Sequence, residues 1–147
     1  VQSFHETIVW NETLMTGVAI IDEQHHILVD MLNEANTRLT ENSGRIVLED
    51  IVHDLMSYAV YHFDTEEELM VENHFDPEEL KIHVREHRAF STKVSGLQQE
   101  LKQGKLISRE ELLSFLNGWL INHILKTDMK LAGFLNKAKA RSNPLFL

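Results

Sequence analysis

The sequence predicts an all-α fold, an antiparallel up-down four-helix bundle with an N-terminal arm packed over it. Two observations carry this. The 147 residues include only 6 Gly and 2 Pro, too little turn chemistry for the many tight turns of a sandwich or barrel. Gly17, Gly44, Pro77 and Gly104 then divide the chain, after a short arm, into four stretches of helical length, and helices joined by short connections pack antiparallel. A hydrophobic content of 43% suffices for one core and leaves little for a second domain.

Residues 1–21, with Trp10 and Ile20, read as the arm, residues 22–140 as the bundle and residues 141–147 as a C-terminal tail. In the first helix Asp22 is expected to cap the N-terminus. His25, Leu28, Leu32, Ala35 and Leu39 follow at steps of 3 and 4 until residues 42–44 end the run. The second helix shows Leu48, Ile51, Leu55, Tyr58, His62, Glu66 and Leu69 on one face and ends at residues 73–77, before and at a proline. The third is the most regular: Leu80, His83, His87, Phe90, Val94, Leu97 and Leu101 alternate steps of 3 and 4 before closing around Gly104. The fourth opens on a Ser-x-x-Glu capping box, Ser108 and Glu111, and continues through Leu112, Phe115, Leu116, Trp119, His123, Leu131 and Phe134.

With 23 acidic against 14 basic residues, a formal charge of −9, the chain lacks the clustered cations that phosphate binding needs, so nucleic acid is not its expected partner. Nowhere do about 18 consecutive residues stay apolar, and no basic stretch followed by an apolar run opens the sequence, so neither a membrane span nor a secretory signal is expected. The cytoplasm is the expected compartment. The absence of cysteine excludes disulfides, thiolate ligands and a cysteine nucleophile, whereas nine histidines supply imidazole chemistry.

Every inward face carries at least one of those histidines, and the second adds a carboxylate. Burying His25, His62, His83, His87 and His123 without partners would cost a few kcal/mol each, more than a core of this size absorbs. Metal ions at the bundle centre would satisfy them together. His62 with Glu66, and His83 with His87, lie four apart, one turn on one helix face. Asp128 follows His123 by five residues, an ideal rotation of about 140°, so a π-bulge is expected to return it to the face of His123. Imidazole and carboxylate without thiolate suit iron, zinc, copper or nickel. The donors exceed what one ion needs, which implies two. HVREH (residues 83–87) also matches the HxxEH pattern of inverted zinc peptidases, with Glu86 as base, but Glu86 sits about 100° from His87 and reads as a solvated charge. A ferritin-like site would want two Glu-x-x-His motifs, of which Glu23 with His26 is the one match. His5, His26, His53 and His74 fall off the faces or in loops and read as surface residues.

GVAIIDEQH (residues 17–25), HFDTEE (62–67), HVREH (83–87) and WLINHILKTD (119–128) together make the chain, from Trp10 to about Leu135, resemble the bacterial hemerythrins. Myohemerythrin, a relative of that family, is itself a four-helix bundle. The resemblance implies two iron ions bridged by Glu66, Asp128 and an oxo/hydroxo group, with His25 and His62 on the five-coordinate iron and His83, His87 and His123 on the six-coordinate one. It further implies reversible dioxygen binding at the open position. Leu28, Tyr58, Phe90 and Trp119 are the candidate dioxygen pocket, Leu28 and Trp119 each one turn from an imidazole. A binding protein rather than an enzyme is expected, serving in oxygen carriage, storage or sensing. The alternatives are an input module fused to a signalling domain such as a diguanylate cyclase or chemoreceptor, or an enzyme consuming peroxide or nitric oxide. The ending RSNPLFL hints at a boundary with another domain but reads better as a frayed tail.

Overall fold

A computed structural model describes residues 8–40, 43–105 and 107–142, with side chains to residue 139. After a 3₁₀ turn (Glu12–Leu14) come α1 (Ala19–Arg38), α2 (Arg45–Glu72) and α3 (Pro77–Lys102). The fourth rod is composite: α4 (Arg109–Asn122) runs through a π segment (His123–Asp128) into α5 (Met129–Ser142). Short connections make successive rods antiparallel, a four-helix bundle. Later residues of α3 meet earlier ones of α2, as in Glu67 with His87 and Phe63 with Phe90, and Glu86 with Thr127 and Phe90 with Trp119 repeat the pattern across α3 and the fourth rod.

The ends follow local chemistry. Asp76 caps α3 by accepting from the Glu79 amide at 3.0 Å, with Pro77 at the first helical position where a missing N–H costs nothing. Ser108 accepts from the Glu111 amide at 3.0 Å at the start of α4. His74 closes α2 in the left-handed region (φ 57°), which lets the Phe75 amide reach the Met70 carbonyl at 2.9 Å. One cap differs from expectation. α1 begins at Ala19, so Asp22 lies inside its first turn and is not the N-cap. Its carboxylate turns back to accept from the Thr16 amide and hydroxyl, both at 2.7 Å, and from Gly17. Gly17 has φ +84°, and a Cβ there would sit 3.0 Å from Asn136, whose amide donates to the Thr16 carbonyl. The positive φ calls for glycine, and a larger residue would also displace the Asn136 amide.

Ala19–Ile21, read as arm from the sequence, are thus helical, and Ile20 faces outward at 45% exposure. The arm itself is held where Ile8 exchanges two backbone hydrogen bonds with the Asn33 side chain, at 2.8 and 2.9 Å, and where Trp10 packs against the core. α1 ends at Arg38, four residues before the expected stop. Arg109 takes its last carbonyls, donating to Leu39 at 2.7 Å and Asn36 at 3.0 Å.

Three layers stack along the bundle axis. The larger apolar core gathers Leu28 and Leu32 of α1, Leu55 and Phe63 of α2, Phe90 to Leu101 of α3 and Leu112 to Leu120 of α4. A smaller one joins Ile21, Met70, Phe75, Leu131 and Leu135 at the opposite end. Between them lies a layer of buried polar side chains. Among the described residues no helix is long and apolar enough to cross a membrane.

Candidate metal centre

Each rod delivers its part of that layer from regular helix except the fourth. α1 places His25, α2 places His62 and Glu66 one turn apart, and α3 places His83 and His87 in the same way. On the fourth rod the five-residue spacing is accommodated by the expected π distortion, which spans both ligand-type residues, His123 and Asp128. It returns Asp128 Oδ1 to 2.8 Å from His123 Nε2. All seven side chains are 0–2% exposed. His26, His53 and His74 are exposed, while His5 lies outside the described residues.

The five imidazoles turn Nε2 inward. His25 Nε2 is 2.6 Å from Asp128 Oδ2, His62 Nε2 3.2 Å from Glu66 Oε1, His83 Nε2 3.0 Å from Asp128 Oδ1 and His87 Nε2 3.1 Å from Glu66 Oε1. The donor atoms form two overlapping groups, one of His83, His87 and His123 and one of His25 and His62, and Glu66 and Asp128 belong to both. Within each group all the atoms lie within 4.8 Å of one another.

Three outward nitrogens are held. His62 Nδ1 is 2.7 Å from Gln24 Oε1, His87 Nδ1 is 2.9 Å from Glu67 Oε2 and His123 Nδ1 is 3.1 Å from Glu86 Oε1. The Gln24 amide orientation follows from chemistry: Thr65 gives its hydroxyl proton to the Tyr61 carbonyl and so must accept from Gln24 Nε2, at 3.0 Å, which leaves the Gln24 oxygen facing His62. Carboxylates and an amide oxygen accept only. Nδ1 therefore carries the proton in these rings, and a neutral Nε2 offers its lone pair to the centre.

Glu86 is accordingly more than the solvated charge read from the sequence. It stays 38% exposed, yet it orients His123 and is itself fixed by the Thr127 hydroxyl at 2.7 and 2.8 Å from its two oxygens. Gln24, Glu67 and Thr127 escaped sequence reading altogether. One signal was present: a ligand imidazole needs an acceptor for its second nitrogen, and such acceptors sit one step off the buried face.

Without cations the layer is poorly satisfied. His62 Nε2, His83 Nε2, Glu66 Oε2 and Asp128 Oδ1 are buried without a well-aligned hydrogen bond, and the charged neighbours that stand 2.8–3.2 Å from three of them offset that burial only in part. His87 Nε2 and His123 Nε2 stand 3.2 Å apart, close to the ~3.0 Å between two adjacent nitrogens at right angles on one ion with bonds of ~2.1 Å. The donor set thus fits metal. Protons partly replace it electrostatically. Burial opposes charge on His62, but Glu66 and Asp128 outweigh it and raise its pKa to about 9. His123 is pushed well above, and His83 above, the ordinary imidazole value against the same burial, chiefly by Asp128. Glu66 and Asp128, despite burial and mutual repulsion, are held well below the carboxylate range by the surrounding imidazoles.

Beside this layer lies a small apolar cavity, with about 20 Å³ open to the centre of a water-sized molecule, lined by Leu28, Leu32, Leu55, Ala59, Phe63, Phe90, Leu116, Trp119 and Leu120. Leu28, Phe90 and Trp119, three of the four candidate pocket residues, are part of its lining. Tyr58 is not. The buried face of α2 runs through Leu55, Ala59, His62, Phe63 and Glu66, which turns Tyr58 aside, toward Tyr61 at 5.7 Å. Phe63 lines the cavity and stacks on His87 at 4.0 Å, while Trp119 stacks on His123 at 4.5 Å.

A family model described as the hemerythrin HHE cation binding domain matches residues 16–135, a stretch that contains all seven side chains. The chain belongs to the hemerythrin family. A bacteriohemerythrin of Stenotrophomonas maltophilia is 32% identical over 136 residues, 92% of this chain and 84% of that one. One from Pseudomonas aeruginosa is 28% identical over 132 residues, 90% and 82%. A crystal structure of wild-type hemerythrin superposes with a TM-score of 0.77 at 27% identity, covering 88% of this chain and 98% of its own. Hemerythrins bind iron, and this member holds a histidine and carboxylate cluster able to take it.

Proposed function

We propose that this hemerythrin binds dioxygen reversibly at two iron ions, His83, His87 and His123 holding one, His25 and His62 the other, with Glu66 and Asp128 bridging them together with an oxo/hydroxo group. The observation that carries this reading is the sharing of both carboxylates by the two donor groups. Bound there, the iron pair supplies a vacant coordination position and two electrons. The protein's own contribution is positioning and exclusion. Gln24, Glu67 and Glu86 fix three imidazoles in the tautomer that presents Nε2. Phe63 and Trp119 shield His87 and His123 with apolar ring faces, and the lining from Leu28 to Trp119 offers almost no polar group to water or to a proton. Such a pocket admits a small apolar gas and slows loss of the electrons to it.

A binding protein rather than an enzyme, in the cytoplasm, acting as carrier or store, is the form of this reading we favour over an input module. The bacteriohemerythrins it matches are covered over 84% and 82% of their length, so the likeness extends over most of those proteins. The sequence hint of a domain boundary, in residues 141–147, lies outside the described side chains. The test is an optical spectrum of the iron-loaded chain with and without dioxygen, beside metal analysis. Two irons per chain and a charge-transfer band that comes and goes with dioxygen are expected. No such band, with one zinc per chain, overturns the reading.

A further inference from the structure

The hydrogen bonds to the outward nitrogens are distributed unequally between the two donor groups. His87 and His123 each give Nδ1–H to a carboxylate, Glu67 at 2.9 Å and Glu86 at 3.1 Å. On the other side His62 gives its proton to a neutral amide oxygen, Gln24 at 2.7 Å, and His25 Nδ1 is buried with no hydrogen-bond partner. Among the described residues no carboxylate hydrogen-bonds an outward nitrogen of His25 or His62. The difference is built rather than incidental. Thr127 in the π segment clamps both oxygens of Glu86, and Thr65 forces Gln24 to present its oxygen.

A charge-assisted hydrogen bond is roughly twice as strong as a neutral one, and an imidazole that donates to a carboxylate becomes a stronger electron donor through its other nitrogen. A stronger donor favours the higher charge on whatever ion it holds. We infer that Gln24, Glu67 and Glu86 are positioning residues that make the two metal positions unequal, the three-imidazole position favouring the ferric ion and the two-imidazole position the ferrous one. This rests on the di-iron reading above. It assigns Gln24 a specific task. Its neutrality keeps the position with fewer ligands reduced, which a carboxylate of the same reach would not do.

The experiment is a mediated redox titration of the full-length, iron-loaded chain, each electron passing to or from the mediator, with iron content measured alongside. Glu86→Gln removes a charged acceptor from the three-imidazole position and is expected to raise the lower of the two midpoint potentials, by about a tenfold change in the one-electron equilibrium, which is about 59 mV. Gln24→Glu adds one at the two-imidazole position and is expected to lower the higher midpoint by a similar factor, so that each substitution brings the two potentials closer together. Glu68→Gln removes an exposed charge that touches none of the cluster and leaves the potential in place. Loosened packing would move Glu86→Gln and Gln24→Glu in the same direction, so shifts of equal sign overturn the inference, as does a shift in Glu68→Gln matching that of Glu86→Gln. Should Glu86→Gln or Gln24→Glu fail to fold, Glu67→Gln repeats the removal of a charged acceptor and Gln24→Asp the addition of a charge beside His62, with the same opposed signs. Wild-type protein with fewer than two irons per chain overturns the di-iron reading and this inference together; two irons with equal-signed shifts overturn the inference alone.

Discussion

On α3, Phe90, Val94, Leu97 and Leu101 are 0–5% exposed, and one turn earlier the same face carries His83 and His87, each 2% exposed. Phase and burial are continuous along the helix, but the energetics change sign. Each large apolar side chain removed from water favours folding by about 1.5–3 kcal/mol. Each imidazole or carboxylate nitrogen or oxygen buried without a partner opposes it. The apolar cores on both sides of the polar layer therefore offset its cost and hold seven side chains in place before any metal arrives. Stability and metal chemistry should separate by layer, and substitutions in one should leave the other standing.

The largest effect is expected at Asp128, which belongs to both donor groups and approaches three imidazoles within 3.0 Å. Asp128→Ala should weaken metal binding by more than about 100-fold and lower iron from two per chain to one or none. The variant should keep its helical circular dichroism, because the cores of Leu28 to Leu120 and of Ile21 to Leu135 are untouched. Iron analysis after gel filtration and a far-ultraviolet spectrum measure the two halves of that statement. Full iron loading would mean that Asp128 is not shared.

The converse substitution is Leu113→Ala. Leu113 is fully buried in the larger core, ten residues and roughly 15 Å of helix from His123. Truncation should cost about 2–5 kcal/mol in the metal-free chain, read from denaturant unfolding, while iron stays at two per chain. A loss of iron from folded Leu113→Ala would show that the layers are coupled.

What could be read from the sequence follows the same division. Helical phase alone turned His25, His62, His83, His87 and His123 inward with Glu66, because phase along one helix is local. The π segment was foreseeable because a five-residue spacing from His123 to Asp128 conflicts with 3.6 residues per turn. The residues that slipped through depend on how one helix is rotated against another. Gln24 and His62 are 38 residues apart, and Glu86 and His123 37, so no periodicity relates them. Tyr58 and Phe63 were separated by a rotation of α2 too small for its mixed pattern to reveal. Asp22 carried the right chemistry for a helix start but turned it backward, onto Thr16 and Gly17, and a cap residue looks the same in sequence either way.

A more gradual effect, roughly 3 kcal/mol from His62 alone, tests whether the polar layer in the metal-free chain is paired as described. His62 titrates near 9 when folded, above its ordinary value of 6.5, and His83 and His123 are raised as well. A raised imidazole pKa contributes stability that is complete below about 6.5 and disappears as pH rises through the folded value. Glu66 and Asp128 are lowered, so their contribution is present above the ordinary carboxylate range and is lost only in acid. The metal-free chain should therefore melt at progressively lower temperature from about pH 6.5 to pH 9, with or without Leu113→Ala, since the apolar core does not titrate. Iron affinity should move the other way, because cations displace the same protons and bind more tightly as those protons leave. Thermal melts at three pH values with chelator, against iron titrations at the same values, read the two slopes. A metal-free melting temperature that is flat or rising over this interval would mean that the imidazoles are neutral without metal and that the layer is held by its apolar neighbours alone.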